Sequence, residues 1–363
     1  SENARFAELC EKCGITFVGP PSKVIRMLGN KKIARSTMIA AGVPVVPGSE
    51  GDVEDIETGL KEAERIGYPV IIKAALGGGG KGMRVANTPE EFPEAYATAR
   101  KESEIAFGDG TMYIEHFVVN PRHIEFQILA DSFGNVIHLG ERDCSIQRNH
   151  QKMIEESPSA AVSPELREKM GHAAVTAAKA AGYVNAGTIE FLLEPDGKFW
   201  FMEMNTRIQV EHPVTEWVTG IDLVKEQLKI ASGMPLEIAQ EDVRIQGHAI
   251  ECRINAENPQ KNFRPSPGTI QGAHFPGGNG IRVDTCVYNG CKIPPYYDSM
   301  LAKLIVHGDS REEAIHKMKS ALGEVIIDGI DTNIDYQYEI LKDEDYQSGN
   351  FDTGFLASHI IAG

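Results

Sequence analysis

Apolar and polar residues alternate along several stretches of the chain, and this pattern predicts β-strands. Residues 123–127 alternate strictly, with His123 and Glu125 on the polar side. Residues 247–255 alternate in the same way, with Arg253 on the polar side. Because successive side chains of a strand point to opposite faces, each stretch predicts a strand with one apolar and one polar face.

Segments with apolar residues at helical spacing are interspersed with these strands and predict an α+β protein. Residues 163–181 carry the clearest helix signals, since Ser163 can cap the first turn and Gly182 follows the last periodic residue. At the start of the chain, the pattern predicts a helix over residues 1–14 and a short strand over residues 15–18. One helix and one strand are an unusual way to begin a domain, so we interpret them as the tail of a larger one.

Two strand-like runs, residues 188–193 and 199–202, predict a β-hairpin. The residues between them include Pro-Asp-Gly, a sequence typical of turns. We expect a four-residue turn, in which Glu194 pairs with Phe199. The antiparallel register then fixes which residues of the two strands face each other.

This register places Glu190 directly opposite Glu203. Like charges that face each other across a ladder are destabilising, so the pairing predicts a bound cation. The two carboxylates and the amide of Asn205 offer the hard oxygen atoms that Mg²⁺ accepts, usually together with a substrate phosphate. A hairpin whose acidic side chains face the solvent is the alternative, and it stays open.

A glycine-rich loop lies between two further strand-like runs. Residues 68–73 lead into Gly77–Gly82, and the strand pattern resumes at Met83. The dinucleotide-binding fingerprint requires a helix directly after its glycines, and the P-loop requires Ser or Thr after its lysine, so neither motif applies. We expect a flap whose backbone amides bind phosphates, with Lys73 and Lys81 supplying positive charge. A flexible hairpin tip is the alternative.

Residues 141–152 form a polar run whose positive charge, within an acidic chain, comes from Arg142, Arg148, His150 and Lys152. We interpret this run as a second wall of the phosphate site. A solvated loop fits the composition of the run nearly as well.

The composition narrows the class of protein. The 363 residues exceed what one hydrophobic core usually supports, so two or three domains are expected. A net charge of −16 argues against non-specific nucleic-acid binding, which requires an excess of Lys and Arg. The sequence contains no apolar run of membrane-spanning length. The six cysteines are too few for a disulfide framework, so a reducing, cytoplasmic location is expected.

With these residues identified, the chain resembles the ATP-grasp enzymes and, among them, the biotin carboxylases. The resemblance rests on the glycine flap after Lys73, residues 113–118, residues 147–152, Glu190 and, most specifically, Glu203–Pro213. It extends from Ser1 to about residue 355, whereas family members carry about eighty further residues before the position of Ser1. It therefore implies that the native chain extends upstream, or that residues 1–18 are exposed and poorly ordered.

The resemblance implies an α+β, ATP-grasp fold with a small glycine-flap subdomain and a larger mixed-sheet C-terminal domain. Residues 1–44 correspond to the remnant of an N-terminal α/β nucleotide-fold domain with its linking helices. Residues 45–117 correspond to the lid subdomain, and residues 118–363 to the ATP-grasp and biotin carboxylase C-terminal domain.

The resemblance also implies which residues bind the nucleotide and the metal. Glu190 and Glu203 match the magnesium ligands, with Asn205 beside them. The residues that match nucleotide contacts are Lys31, Lys73, His123, Gln147, His150 and Lys152. Glu115, His116 and Val118 match the adenine hinge, and Gly77, Gly78, Gly79, Gly80 and Gly82 match the lid.

A third group of residues matches the reaction centre of the family. Arg207, Gln209 and Val210 match the bicarbonate site, where a guanidinium suits a planar, carboxylate-like anion. Glu211 matches the general base, and Arg253 matches the residue that stabilises the enolate of biotin. Lys152 is expected to act with them in catalysis.

The implied activity is ATP- and Mg²⁺-dependent carboxylation of biotin by bicarbonate through carboxyphosphate, with Mn²⁺ as an alternative metal. This is the first half-reaction of acetyl-CoA carboxylase or a related carboxylase. The implied partners are a biotin carboxyl carrier protein or domain, a carboxyltransferase, and a second copy of the full-length chain; neither nucleic acid nor a membrane is expected. Two alternatives stay open: an ATP-grasp ligase with another acceptor, and a nucleotide-binding subunit without turnover.

Overall fold

The computed structural model describes residues 1–49, 51–74, 82–149 and 151–359, without the side chains of Lys31, Lys32 and Phe107. The described residues form two compact units. One unit is Pro44–Val119, and the other combines Ser1–Val43 with the chain from Asn120 onward. The domain limits at residues 44/45 and 117/118 stay a prediction.

Three helices begin the chain: α1 (Ala4–Lys12), α2 (Ser22–Leu28) and α3 (Lys31–Ala40). Glu11 of α1 accepts a hydrogen bond from the backbone amide of Ser22 at 2.8 Å, which ties the first two helices together. The strand predicted over residues 15–18 is wrong, because this described segment forms no ladder and Ile15 is 61% exposed. Apolar, β-branched residues form a strand only where a neighbouring strand pairs with their backbone groups.

The Pro44–Val119 unit consists of a small antiparallel sheet and two helices. Its elements are α4 (Ile56–Ile66), β1 (Val70–Ala74), β2 (Met83–Ala86), α5 (Phe92–Phe107) and β3 (Met112–His116), with the sheet order β2-β1-β3. The predicted strand–loop–strand arrangement is confirmed, since β1 and β2 pair with each other. The expectations for Gly77, Gly78, Gly79, Gly80 and Lys81 fall outside the described residues.

The remainder of the chain contains the longest strands. Its elements are β4 (Arg122–Ala130), β5 (Val136–Arg148), β6 (Gln151–Ser157), α6 (Pro164–Ala180), β7 (Asn185–Leu193), β8 (Phe199–Asn205), α7 (His212–Thr219), α8 (Leu223–Ala231), a 3-10 turn (Gln240–Asp242), β9 (His248–Asn255), β10 (Glu257–Asn258), a second 3-10 turn (Pro259–Lys261), β11 (Arg264–Pro265), β12 (Gly268–Thr269), β13 (Gly272–His274), β14 (Ile281–Thr285), β15 (Lys292–Ile293), β16 (Met300–Gly308), α9 (Arg311–Glu324), β17 (Ile326–Asp328), α10 (Ile334–Lys342), α11 (Glu344–Ser348) and α12 (Phe355–Ser358).

Eight of these strands form one sheet with the order β14-β16-β9-β6-β5-β4-β7-β8. Every ladder that the described residues form in this sheet is antiparallel. The prediction of a mixed sheet, with both parallel and antiparallel strands, is therefore wrong for the strands that the structure describes. Short turns join β4 to β5, β5 to β6 and β7 to β8. Because a short turn reverses the direction of the chain, the strands that it joins are antiparallel.

Both faces of the central strands are buried. On β4, Phe126 and its apolar neighbours lie on one face, as the alternation predicts, and Glu125 lies on the other face with 0% exposure. On β9, Cys252 and Glu251 are likewise both 0% exposed. The polar face of the sheet is therefore inside the protein, where its charged side chains must pair with one another.

Candidate active site

The β7–β8 hairpin carries the predicted metal ligands. Its turn is one residue shorter than predicted, because the amide of Glu194 donates to the carbonyl of Lys198 at 2.8 Å. Gly197, with a φ of 85°, allows this tighter turn. A bulge in β8 then shifts the register by one residue, so that Glu190 does lie opposite Glu203. The pairing of the two acids is confirmed, and the predicted turn is wrong.

The carboxylate of Glu190 is buried and accepts several hydrogen bonds. Its Oε1 atom accepts from Asn205 Nδ2 at 2.8 Å, from Gln209 Nε2 at 3.0 Å and from Lys152 Nζ at 3.1 Å. Nε2 of His123 lies 3.2 Å from the other oxygen. Burial opposes ionisation of Glu190, but His123 and Lys152 outweigh it and hold the pKa well below its ordinary value. Glu190 is therefore a carboxylate at neutral pH.

The facing carboxylates of Glu190 and Glu203 fit a magnesium ion. Glu190 is ionised and Glu203 is exposed on the facing strand, so two hard oxygen donors are available on neighbouring backbones. The oxygen of Asn205 accepts from Arg207 Nη2 at 3.2 Å, which makes Asn205 the weaker candidate. The alternative of a hairpin with both acids in solvent is wrong, because Glu190 is 4% exposed.

Lys152 connects Glu190 to two further carboxylates. Its Nζ atom donates to Glu125 Oε2 at 2.5 Å and to Glu211 Oε1 at 2.6 Å. Burial favours the neutral amine, but the surrounding carboxylates outweigh it and raise the pKa of Lys152 well above its ordinary value. Lys152 is therefore a permanent buried cation at the centre of the polar face.

The polar run that contains Lys152 is not a loop. It forms the end of β5 and the start of β6, and Gln147 lies opposite Lys152 across this hairpin. The solvated-loop alternative is therefore wrong, and the polar side chains of the run are accommodated because the partner strands supply opposite charges. His150 falls outside the described residues.

Arg142 belongs to the polar run interpreted as a wall of the phosphate site, but the sequence analysis gave it no role of its own. It is 0% exposed, and it lies opposite Glu125 across the β4–β5 ladder. Its guanidinium donates to Glu125, to Gln127 at 2.8 Å, to Gln209 at 2.9 Å, to Thr215 at 3.0 Å and to Thr188 at 3.1 Å. Burial opposes ionisation of Glu125, but Arg142 and Lys152 outweigh it and lower its pKa to about 2. The sequence signal for this network was the alternation of residues 123–127, which places the polar side chains of His123 and Glu125 on one face of a strand.

Glu211 lies between two cations. Its Oε1 accepts from Lys152, and its Oε2 accepts from Arg253 Nη2 at 3.0 Å. Burial and Glu125 oppose ionisation of Glu211, but Lys152 and Arg253 outweigh them and hold its pKa below the ordinary value. The structure thus brings together the predicted general base and the predicted biotin-site arginine, which are far apart in sequence.

The residues predicted to bind bicarbonate lie in the segment between β8 and α7. Arg207 is one-third exposed, and its Nε lies 3.2 Å from Oε2 of Glu2. Gln209 is buried between Arg142 and Glu190. The carbonyl of Val210 accepts from Lys303 Nζ at 2.8 Å. Arg207 and Val210 are half-buried, whereas Gln209 is buried.

Other predicted nucleotide contacts belong to the Pro44–Val119 unit. Lys73 Nζ donates to Glu115 Oε2 at 2.5 Å across neighbouring strands. His116 ends β3, and Val118 follows it with 7% exposure. Gly82 precedes β2 with a φ of 69°, where a Cβ atom would lie 3.0 Å from that of Ala74. The predicted contact Lys31 belongs to the other unit, where it is the first residue of α3, and the structure does not describe its side chain.

Two protein-family models together match most of the chain. Residues 30–239 match the carbamoyl-phosphate synthase L chain, ATP binding domain, and residues 251–358 match the biotin carboxylase C-terminal domain. Biotin carboxylase 1 of Bacillus subtilis is 57% identical over 100% of this chain and 81% of its own. The chain belongs to the biotin carboxylase family.

Two further relatives extend this result. The biotin carboxylase domain dimer of Hydrogenobacter thermophilus 2-oxoglutarate carboxylase, solved with MgADP, ADP and bicarbonate, has a TM-score of 0.89 and 51% identity over 99% of this chain and 79% of its own. A pyruvate carboxylase subunit of Methanothermobacter thermautotrophicus is 54% identical over 98% of this chain and 72% of its own. The ATP-grasp, biotin carboxylase resemblance is thereby confirmed. Among the described residues, no helix has both the length and the apolar character needed to span a membrane.

Proposed function

We propose that this biotin carboxylase catalyses the ATP-dependent carboxylation of biotin by bicarbonate. The observation that carries the proposal is the position of Glu211, held 2.6 Å from Lys152 on one side and 3.0 Å from Arg253 on the other. Lys152 also contacts Glu190, the proposed magnesium ligand. One buried network therefore joins the groups proposed for phosphate, bicarbonate and biotin.

In the first step, an oxygen of bicarbonate attacks the γ-phosphorus of ATP, and ADP leaves. Glu211 accepts the bicarbonate proton, and the product is carboxyphosphate. Lys152 balances the negative charge of the transferred phosphoryl group. Magnesium held by Glu190 and Glu203 would supply further neutralisation of the phosphate oxygens.

Glu211 can act as a base only if its surroundings change when substrate binds. Lys152 and Arg253 hold its pKa below the ordinary value, which keeps it ionised and weakly basic. Incoming phosphate oxygens compete with Glu211 for Lys152. Loss of that contact raises the pKa of Glu211 and makes it a stronger base while bicarbonate is bound.

In the second step, carboxyphosphate breaks down to CO₂ and phosphate. The phosphate removes the ureido N–H proton of biotin, and the resulting enolate nitrogen attacks CO₂ to form carboxybiotin. Arg253 offsets the negative charge that develops on the ureido oxygen. Its side chain is 18% exposed, so a ligand can reach a guanidinium whose other edges are held by carboxylates.

Bicarbonate-dependent ATP hydrolysis, measured with and without free biotin, tests the proposal. We expect hydrolysis that requires bicarbonate and increases with biotin, together with transfer of radiolabelled bicarbonate to biotin. An ATP-grasp ligase with another acceptor gives no stimulation by biotin, and a nucleotide-binding subunit gives no turnover. Either outcome would contradict the proposal.

We further propose that the biotin is carried by a carrier protein or domain, and that a carboxyltransferase consumes the product. A relative named as a subunit of pyruvate carboxylase supports this. The dimer of the Hydrogenobacter thermophilus domain supports self-association. A cytoplasmic location is supported by the six cysteines, all of which are free.

A further inference from the structure

Two buried carboxyl groups face each other beside Arg253, and neither has a part in the reaction described above. Glu155 on β6 lies directly opposite Glu251 on β9. Both residues are 0% exposed. Residues directly opposite in an antiparallel ladder have Cβ atoms about 5 Å apart, and like charges there destabilise the sheet. The pair therefore needs either a compensating cation or a proton.

Arg253 supplies part of the compensation. Its Nε donates to Glu155 Oε1 at 2.6 Å, and Nη2 of the same guanidinium donates to Glu211. One positive charge is thus shared between two carboxylates before Glu251 is considered. Burying an uncompensated third charge is very costly.

The remaining oxygens of the pair lack partners. Oε2 of Glu155 and both oxygens of Glu251 have no hydrogen-bond partner within the part of the chain that the structure describes. Lys303, on the neighbouring strand β16, donates to the carbonyl of Val210. A proton on Glu251 turns one of its oxygens into a donor and gives Oε2 of Glu155 a hydrogen bond to accept.

The electrostatic surroundings of the pair favour that proton. Burial raises the pKa of Glu155 to about 7 although Arg253 opposes the shift, with Glu211 raising it and Lys152 lowering it. Burial and Glu155 raise the pKa of Glu251 well above its ordinary value, against the opposing charges of Lys303 and Arg253. Because Arg253 contacts Glu155, whereas neither oxygen of Glu251 has a partner among the described residues, Glu251 is the member of the pair that retains a proton more readily.

The backbone of Arg253 is anchored from the other side. Its carbonyl accepts from Gln337 Nε2 at 2.5 Å and from Asn333 Nδ2 at 3.0 Å, and both amides are 0% exposed. With the backbone fixed, the direction of the guanidinium depends on what its Nε edge contacts. That contact is Glu155.

We propose that Glu155 and Glu251 are positioning residues for Arg253. A proton retained on Glu251 leaves one negative charge on Glu155, and this charge holds the Nε edge of the Arg253 guanidinium. Nη2 then stays directed at Glu211, and the remaining N–H groups of the guanidinium are available to the ureido oxygen of biotin. A second negative charge on Glu251 would weaken the positive potential that biotin meets. This inference rests on the proposed role of Arg253.

Glu155→Gln and Glu251→Gln test the proposal in opposite directions. Glu155→Gln removes the charge that orients Arg253, so we expect the KM for biotin to rise at least about tenfold while biotin-independent ATP hydrolysis changes less than about threefold. Glu251→Gln keeps a neutral side chain of the same shape, so we expect near-normal kinetics at neutral pH. In the wild type, we expect ionisation of Glu251 at alkaline pH to lower biotin carboxylation. Glu251→Gln cannot ionise at this position, so we expect it to keep its activity at alkaline pH.

Glu156→Gln is the matched control. Glu156 is the next residue on β6, is 2% exposed, and pairs with Arg311 at 3.0 Å on the opposite face of the strand. We expect it to lower the melting temperature without a selective change in the KM for biotin. An equal rise in that KM in Glu156→Gln and Glu155→Gln would overturn the proposal, as would a folded Glu251→Gln variant without activity.

Infrared spectroscopy tests the shared proton without any catalysis. A protonated carboxylic acid has a carbonyl stretch that is separate from carboxylate bands and shifts in D₂O. We expect this band at about pH 8, where a Glu155 with a pKa of about 7 is mostly ionised, in the wild type and in Glu156→Gln, and its loss in Glu251→Gln. A band that persists in Glu251→Gln overturns the inference, whereas wild-type protein with the band but without biotin carboxylation overturns the proposed function alone.

Discussion

Lys152 and Glu211 form a buried ion pair in which Nζ lies 2.6 Å from Oε1. Lys152 is shared with Glu125 and Glu190, whereas the second oxygen of Glu211 contacts Arg253. If the pair separates, Lys152 keeps two carboxylate partners and Glu211 keeps one cation. The cost of separation is therefore spread over several contacts, and a phosphate that approaches Lys152 can take the place of Glu211.

We predict that Lys152→Met lowers bicarbonate-dependent ATP hydrolysis at least about a hundredfold, because the cation that balances the charge of the transferred phosphoryl group is lost. Removal of Lys152 also leaves buried carboxylates uncompensated, at a cost of about 3–5 kcal/mol. The same cost lowers the melting temperature. Steady-state hydrolysis and thermal melts measure the two effects. Lys198→Met is the control, since Lys198 is 66% exposed and pairs only with Asp196 among the described residues. Similar results for the two variants would contradict a central role of Lys152.

Glu203→Gln tests the proposed metal pair. Glu203 is exposed and lies opposite Glu190, so the amide removes one anionic donor and one source of repulsion. We expect turnover to fall at least about a hundredfold at limiting Mg²⁺, with the fold intact. Titration of ATP hydrolysis with Mg²⁺ measures this change. Glu168→Gln, at an exposed position of α6, should titrate like the wild type. An unchanged Mg²⁺ requirement in Glu203→Gln would remove Glu203 from the metal site.

The hairpin shows which features a sequence can predict. Two strand-like runs and the Pro-Asp-Gly turn between them identified both strands, and the facing of Glu190 and Glu203 is confirmed. The turn length was wrong, and the bulge in β8 corrected the register. A bulge depends on how a strand packs against its neighbours, so no local pattern predicts it.

The partners of the polar face were harder to predict. Alternation placed Glu125 and Arg253 on polar faces, but a polar face is usually exposed in an antiparallel sheet. Here it is buried because α7 and the segment that leads into α7 lie against this face, so that Arg142 reaches Thr215, and Lys152 and Arg253 both reach Glu211. Strands distant in sequence, such as β6 and β9, lie side by side and bring their polar residues together on this face. Glu155 faces Glu251 only because of that sheet order, and Arg142 reaches Gln209 and Thr215 only through the packing of a distant segment. The sequence pattern contains neither the sheet order nor this packing.

His138 gives a test of stability against pH. Burial, together with nearby Arg167, lowers the pKa of His138 from 6.5 to about 4. Because the folded pKa lies below the unfolded one, protonation favours the unfolded chain. The stabilising contribution is complete above about pH 6.5 and is lost as the pH falls towards about 4.

We expect His138→Asn to remove a pH-dependent contribution of about 3 kcal/mol to the free energy of unfolding between about pH 7 and about pH 4. Chemical denaturation at a series of pH values measures it. His316→Asn, at an exposed helical position, should keep the wild-type pH dependence. Parallel curves for wild type and His138→Asn would show that His138 does not titrate differently in the folded chain.

The last prediction separates the two groups that contact each other at the reaction centre. Glu211 is proposed to act on bicarbonate and Arg253 on biotin, although their side chains are 3.0 Å apart. Arg253→Ala should therefore reduce carboxybiotin formation much more than bicarbonate-dependent ATP hydrolysis. Glu211→Gln should reduce both by similar factors, since carboxyphosphate is needed for each. The measurement is labelled carboxybiotin formed per ATP hydrolysed.

Arg253→Lys refines this test because it keeps the charge but replaces the planar fork that reaches Glu155 and Glu211 together. We expect it to recover stability relative to Arg253→Ala, as the buried carboxylates regain a cation, while carboxybiotin per ATP stays low. Arg244→Ala, at an exposed arginine, is the control and should leave the ratio at the wild-type value. If Arg253→Ala and Glu211→Gln lower both activities by equal factors in folded protein, the ion pair acts as one unit and the separate roles are wrong.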